Sequence, residues 1–188
     1  MKMKIVGISG SPKKDGNNER IIGYVLDIAK QRGFLTARVF LSEHDVRPCT
    51  DCGVCKQKKE CSIKDGTEKI LTLLEDADGI IISSPVYFGS VSAQLKALFD
   101  RTLVLRRAGS LLKNKIGAAI TVGNSRNGGQ EKTISAIHDW MNIHGMIIVG
   151  DGNHFGGTVK SPFEEDEVGL RTVKETIYKL CDVLEMIK

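Results

Sequence analysis

Apolar runs of strand length alternate with helical patterns along the whole chain. Residues 4–9 (KIVGIS) predict a first strand. Ile21, Ile22, Val25, Ile28 and Ala29 recur at helical spacing between Asn18 and Arg32, and Gly33 marks the stop. Residues 36–41 (TARVFL) alternate apolar and polar, as a half-exposed edge strand does. Asp65 or Thr67 is placed to cap a short helix carrying Ile70, Leu73 and Leu74. The runs 79–84 (GIIISS), 115–122 (KIGAAITV) and 145–149 (GMIIV) are continuous, the pattern of parallel strands buried on both faces. Val91, Leu95, Leu98 and Phe99 form one helical stripe between them, and Ile134, Ile137 and Met141 form another. Val173, Ile177, Leu180, Cys181 and Leu184 line the last helix.

Five strands alternating with five helices predict an α/β fold, an open parallel sheet with helices on both faces and right-handed crossovers. An edge-like second strand beside buried first, third and fourth strands fits the flavodoxin-like order 2-1-3-4-5. Ligands of such sheets bind outside the carboxyl ends of the strands, where the order reverses, so the loops after strands one, three and four are expected to converge. With no internal repeat, low-complexity tract or linker, residues 1–188 read as a single domain.

Those three loops carry chemistry. After strand one, SGSPKKDGNNE brings Ser9, Gly10 and Ser11, then Asn17 and Asn18 at a helix N-terminus, where small residues and free amides favour a phosphate. Neither G-x-G-x-x-G nor G-x-x-x-x-G-K-[ST] occurs there, which argues against a wrapped dinucleotide and against ATP. After strand three, Pro85 and Val86 lead into Tyr87, Phe88 and Gly89, flat apolar surface for a planar ring, although aromatics so placed also serve as plain loop anchors. After strand four, Gly123, Asn124 and Ser125 open a donor-rich loop. A phosphate end, a flat ring and a polar wall together describe FMN. The types Ser84, Asp100 and His138 occur, but no G-x-S-x-G elbow follows a strand, so hydrolysis is set aside.

Composition narrows the setting. The net charge is +4, and Lys and Arg are scattered, with no basic stripe to suggest nucleic-acid binding. No apolar stretch is long enough to span a membrane, and the first strand begins without the pattern of a signal peptide. Four of the five cysteines fall within thirteen positions, Cys49, Cys52, Cys55 and Cys61. A disulfide scaffold spreads its cysteines, so a reducing cytoplasm is expected instead. Lys56, Lys58 and Lys59 beside them read as a solvated loop or as a positive rim facing an acidic partner.

The segments GSPKKDGNN, SSPVYFGSVSAQLKALFDR and GNSRNGGQEKT resemble the flavodoxin-like NADPH-dependent FMN reductases. With Cys-x2-Cys-x2-Cys-x5-Cys after strand two and GMIIVGDGNHFGG at strand five, the chain resembles their iron-sulfur flavoprotein subfamily. The resemblance departs at Asn17-Asn18, where the family often has Asn-Thr. It implies FMN, an electron donor such as ferredoxin, a small acceptor such as oxygen, peroxide or a quinone, and a homodimer or homotetramer in which flavin and cluster of neighbouring subunits meet.

The cysteine spacing itself favours a [4Fe-4S] cubane in a loop at about 43–64. Zinc sites usually set two Cys-x2-Cys knuckles a dozen residues apart, whereas consecutive x2 steps wrap one corner of a larger object. Zinc and metal-free thiols stay open as alternatives. So do an NAD(P)H-dependent FMN or quinone reductase without a working cluster, and a non-catalytic sensor whose zinc loop docks a partner. Cys181, on an apolar stripe, reads as a core residue. His154, after strand five, reads as a surface or core-satisfied histidine, or else as one placed on the carboxyl edge to line the site. The long connection 101–115, with its leucine pairs, is expected to be covered by a partner subunit.

Overall fold

The computed structural model describes residues 2–187. Six parallel strands form one sheet: β1 (Lys4–Ser9), β2 (Leu35–Phe40), β3 (Gly79–Pro85), β4 (Ile116–Gly123), β5 (Ile147–Val149) and β6 (Gly157–Lys160). Their order is β2-β1-β3-β4-β5, with β6 also paired to β4. The helices are α1 (Asn17–Gln31), α2 (Val54–Gln57), α3 (Thr67–Glu75), α4 (Ala93–Arg101), α5 (Leu103–Arg107), α6 (Gln130–Ile143) and α7 (Glu167–Met186).

The continuous apolar strands divide between two cores by their two-residue period. Ile80 and Ile82 face α3, α4, α5 and α6, while Ile81 faces α1 and α7. β3 and β4 are buried along their whole length, and β2 buries only its last two residues, as an edge strand does.

The fifth strand position differs from expectation. β5 pairs with Ile116–Ala118, β6 pairs with Ile120–Gly123, and residues 150–156 loop out between them. The excursion is pinched shut at its base: a Cβ on Gly150 would lie 2.4 Å from the His154 carbonyl, and one on Gly156 would lie 2.3 Å from that of Ala119. The loop holding His154 therefore leaves halfway along β4. The carboxyl end of this strand position is Lys160, and Ser161 follows it.

The connection 101–115 also departs from expectation. Val104, Leu105 and Leu112 are buried in the chain's own core beside α3, so no partner is needed to cover them. Instead, α5 forms a platform against which α2 and the cysteine loop pack. No helix among the described residues is long and apolar enough to cross a membrane.

Candidate functional site

Ser9, Pro85 and Gly123 end neighbouring strands, and hydrogen bonds knit the loops that follow them. Gly10 N–H donates to Ser83 O (2.7 Å), Val86 N–H to Val122 O (2.9 Å) and Ser161 N–H to Gly123 O (2.8 Å). Ser92 caps α4 by accepting from Leu95 N–H (3.2 Å), and its hydroxyl donates to Gly10 O. Gly10 has no room for a side chain, since a Cβ there would lie 2.8 Å from Leu95 Cδ2. Packing of α4 thus sets the backbone path of the first loop.

In that loop Ser9 and Ser11 are buried, and their hydroxyl oxygens accept from Ser11 N–H (3.4 Å) and Lys13 N–H (3.1 Å). These bonds leave the hydroxyl hydrogens free to donate. Gly16 precedes α1, and no side chain caps that helix. Backbone amides at its start are the usual anion donors. Asn17 donates to Ser161 Oγ (2.8 Å) and accepts from Arg20 (2.7 Å), tying the loop to the end of β6. Asn18 is turned inward: its Oδ1 accepts from Ser83 Oγ (2.8 Å), and the residue is buried. Glu19, also buried, accepts from Asp15 N–H (2.7 Å) and from the Ser42 hydroxyl.

The second loop is a tight turn. Tyr87 and Ser90 exchange two backbone hydrogen bonds (2.9 and 3.1 Å), and Phe88 (φ 51°) and Gly89 (φ 81°) both occupy the left-handed region. A turn of this kind suits Asn-Gly; a phenylalanine in that conformation costs on the order of 1 kcal/mol. Phe88 is nonetheless fully exposed, and Tyr87 is half-exposed beside it.

Gly123 is buried, while Asn124 and Ser125 of the third loop are exposed. Gln130 organises this loop from a buried position, donating to Ser125 O (2.7 Å) and Val159 O (3.3 Å) and accepting from Gly128 N–H (2.7 Å). Neither Gln130 nor Ser161 was expected from sequence.

His154 stands apart from these loops. It is half-exposed, and its Nδ1 lies 2.7 Å from Asp151 Oδ2 within the excursion that leaves mid-strand. Burial alone would raise the Asp151 carboxyl, but hydrogen bonds from His154 and the Asn153 amide hold it below its ordinary value. Of the readings open for His154, the surface histidine is the one the structure shows, paired with Asp151 away from the carboxyl edge.

Between Glu43 and α3, the cysteine loop places Cys49, Cys52, Cys55 and Cys61 on the wall of one small cavity with Arg101 and Arg107. All four are free thiols; Cys49 and Cys52 are exposed, Cys55 and Cys61 half-buried. Arg101 Nε donates to Cys61 Sγ (3.2 Å), and Arg107 Nη1 donates to Cys55 Sγ (2.8 Å). Cys52 shares a hydrogen bond with Ser62 Oγ (3.0 Å), and that bond, with the Val54 amide, lowers its thiol below the ordinary value. Among the described residues no three His, Cys, Asp or Glu side chains converge as single-ion ligands. The donor set suits a thiolate-bound group even so: four sulfurs face one cavity, two of them with arginine N–H groups. Cys181, by contrast, is buried among α7's apolar residues, and burial pushes its thiol up to about 11.

Alongside runs a cleft of about 630 Å³. Cys49 and Asp51 border it on one side and Ser90 and Val91 on the other, over a floor of Phe99 and Trp140. These two rings stack at 4.6 Å. The cysteine loop and the aromatic turn therefore open on the same cleft.

The family described as NADPH-dependent FMN reductase matches residues 3–158. An iron-sulfur flavoprotein of Methanosarcina thermophila is 59% identical over 99% of this chain and 97% of its own length. The chain belongs to this family, among its iron-sulfur flavoproteins. A relative from Methanocaldococcus jannaschii, also an iron-sulfur flavoprotein, is 45% identical over 99% of this chain and all of its own. A WrbA-like flavodoxin from Agrobacterium tumefaciens superposes with a TM-score of 0.70 over both full chains at 18% identity, which attests the flavodoxin-like fold. Family membership makes the protein an FMN-dependent oxidoreductase. The free first-turn amides of α1 and the knitted loops are the part of the structure suited to that flavin.

Proposed function

We propose that this single domain carries electrons between a one-electron donor such as ferredoxin, a [4Fe-4S] cluster on Cys49, Cys52, Cys55 and Cys61, and FMN, and passes them to oxygen, peroxide or a quinone-like acceptor in the cytoplasm. One observation supports the reading: the four cysteines line one cavity, and Cys49 and Asp51 of their loop share the neighbouring cleft with Ser90 and Val91, where the aromatic turn ends. Bound together, the two groups supply one- and two-electron redox chemistry, and the chain's part is to bind, orient and tune them.

For FMN, the Ser9 and Ser11 hydroxyls and the first-turn amides of α1 are suited to the phosphate. Asn17 serves by joining that loop to Ser161, and Asn18 by bracing it against β3. Pro85, Val86, Tyr87, Phe88 and Gly89 would flank the ring, with Gly123, Asn124 and Ser125 along its polar edge. For the cluster, the cavity shared by the cysteines measures only about 20 Å³, so the loop must open to receive it. Cys49 and Cys52 supply the exposed side where opening disturbs least packing.

Protein purified without oxygen is expected to contain iron and acid-labile sulfide in equal amounts, together with FMN, and a Cys61→Ala variant is expected to lose iron and sulfide while keeping FMN. Flavin with fast NADPH oxidation and no iron would support a simple reductase, and zinc without turnover a sensor; either result would overturn this reading.

The functional unit is a homodimer or homotetramer. A fully exposed Phe88 in the left-handed region gains nothing within its own chain, and the turn that carries it runs into Ser90 and Val91, which line the cleft with Phe99 and Trp140. A second copy related by a two-fold axis at this turn would set each Phe88 into the other's cleft. Phe88→Asn is expected to leave the subunit as stable or slightly more so while weakening self-association at least tenfold by sedimentation. Unchanged association would exclude Phe88 from the interface.

A further inference from the structure

The side chain of Arg101 ends α4 directly beneath the cysteine loop, 1% exposed. A guanidinium has five N–H donors in a rigid fork. Here they serve five contacts: Nε to Cys61 Sγ (3.2 Å), Nη1 to Arg47 O (2.9 Å) and Asp65 Oδ2 (2.7 Å), and Nη2 to Ile63 O (3.0 Å) and Asp65 Oδ1 (3.1 Å). Arg47 and Ile63 bracket the four cysteines, so one side chain clamps both ends of the loop and one of its sulfurs. One step along, Arg107 holds Cys55 from α5 (2.8 Å). Cys49 accepts instead from Asp51 N–H, and Cys52 shares a hydrogen bond with the Ser62 hydroxyl.

We propose that Arg101 and Arg107 are positioning residues that raise the reduction potential of the bound cluster through their hydrogen bonds to Cys61 and Cys55, Arg101 also anchoring both ends of the loop. This rests on the cysteine quartet's holding a cluster. Adding one electron to a thiolate-ligated cluster increases negative charge on its sulfurs. Donors fixed there before the electron arrives favour the reduced form, and hydrogen bonding to sulfur is one of the determinants of cluster potential. Burial strengthens the effect at Arg101, because a hydrogen bond held out of water is stronger, even though Asp65 balances the guanidinium's charge. Arg101 keeps its charge throughout, because a guanidinium is not deprotonated in a protein.

The test compares wild type, Arg107→Gln and Arg101→Lys, each reconstituted anaerobically with iron and sulfide. Potentials are read by redox titration, the cluster by its paramagnetic resonance signal and the flavin by its absorption. Arg107→Gln is expected to shift the cluster to a more negative potential and leave the flavin potential and melting temperature as in wild type. Arg101→Lys keeps a charge but cannot make the five-bond fork, and is expected to shift the cluster the same way. If Arg101→Lys retains no cluster, its iron-free form decides. Iodoacetamide should then label Cys61 as fast as Cys52, whereas in iron-free wild type Cys61 labels several-fold more slowly. Cluster potentials unchanged in Arg107→Gln, or slow Cys61 labelling in cluster-free Arg101→Lys, would overturn the proposal alone. A wild type that binds no cluster would overturn it together with the reading beneath it.

Discussion

Asp65→Ala is expected to destabilise the fold by about 3–5 kcal/mol, as much as the truncation of a large core side chain. The Asp65 and Arg101 side chains are 5% and 1% exposed and share a bidentate pair at 2.7 and 3.1 Å. Removing the carboxylate leaves a buried guanidinium with only carbonyl and sulfur partners, and the desolvation it already suffers is no longer offset. Burial by itself would raise the Asp65 carboxyl, but Arg101, the Thr67 amide and the Arg47 amide outweigh it and hold it far below the usual range. A depressed folded-state value means stability present above the unfolded carboxylate pKa and lost as pH falls through the folded one. Urea unfolding checks both the magnitude and its origin. The double variant Asp65→Ala/Arg101→Met should be more stable than Asp65→Ala, because no charge is stranded. If the single variant loses under 1 kcal/mol, solvent reaches the pair and the clamp is not buried.

Most of the sheet was legible because its signal is local. Ile80, Ile81 and Ile82 can be buried on both faces only in a covered parallel strand, and the alternation of TARVF marks an edge. What the pattern did not reveal is pairing. GMIIV and GTVK occupy one strand position because both register on β4, and two glycines pinch out the residues between. No local periodicity records that, so the sequence left His154 open between the carboxyl edge and the surface, where it lies. The leucines of 101–115 show the same limit: period and composition report burial, but not which surface does the burying.

For the site, residue types at loop starts were enough to bring Ser9, Ser11, Asn17, Pro85 and Gly123 to one edge, because topology puts strand ends together whatever the side chains do. Second-layer residues were not readable. Gln130 and Glu19 look like ordinary first-turn helix residues, and only their burial shows that they hold loops from behind. Arg101 stands in the sequence only as the first residue of the connection 101–115, one of many scattered cations. Asp65 was recognised for the wrong duty: it accepts from Thr67 N–H (3.1 Å), as a cap would, but its main partner is Arg101, far away in sequence.

Acid sensitivity above pH 4 should come from histidine. Thr102 Oγ1 donates to Phe99 O (2.6 Å) and accepts from Trp140 Nε1 (2.9 Å), so its remaining lone pair suits a proton on His144 Nε2, 2.9 Å away. His144 is then the neutral tautomer protonated at Nε2, and its buried Nδ1 has no partner to receive a second proton usefully. Burial, reinforced by the positive charge of Arg106, lowers its pKa to about 4. Half-buried His138 is pushed down by burial as well, with Asp139 opposing. Between the ordinary histidine value near 6.5 and the folded value near 4, the unfolded chain binds more protons than the native one, so stability falls as pH falls. A shift of this size corresponds to about 3 kcal/mol across the window, complete near pH 4. The depressed carboxylates, Asp65, Asp151 and Asp166, act mainly at lower pH, because their contribution is lost only once the unfolded carboxylates begin to protonate, at about pH 4, and on down to their lowered folded values. Unfolding free energies measured from pH 7 to pH 4 should therefore decline in wild type, and the slope should lessen in His144→Gln, whose amide can still donate to Thr102. An equal slope in both would show that His144 is protonated in the native state.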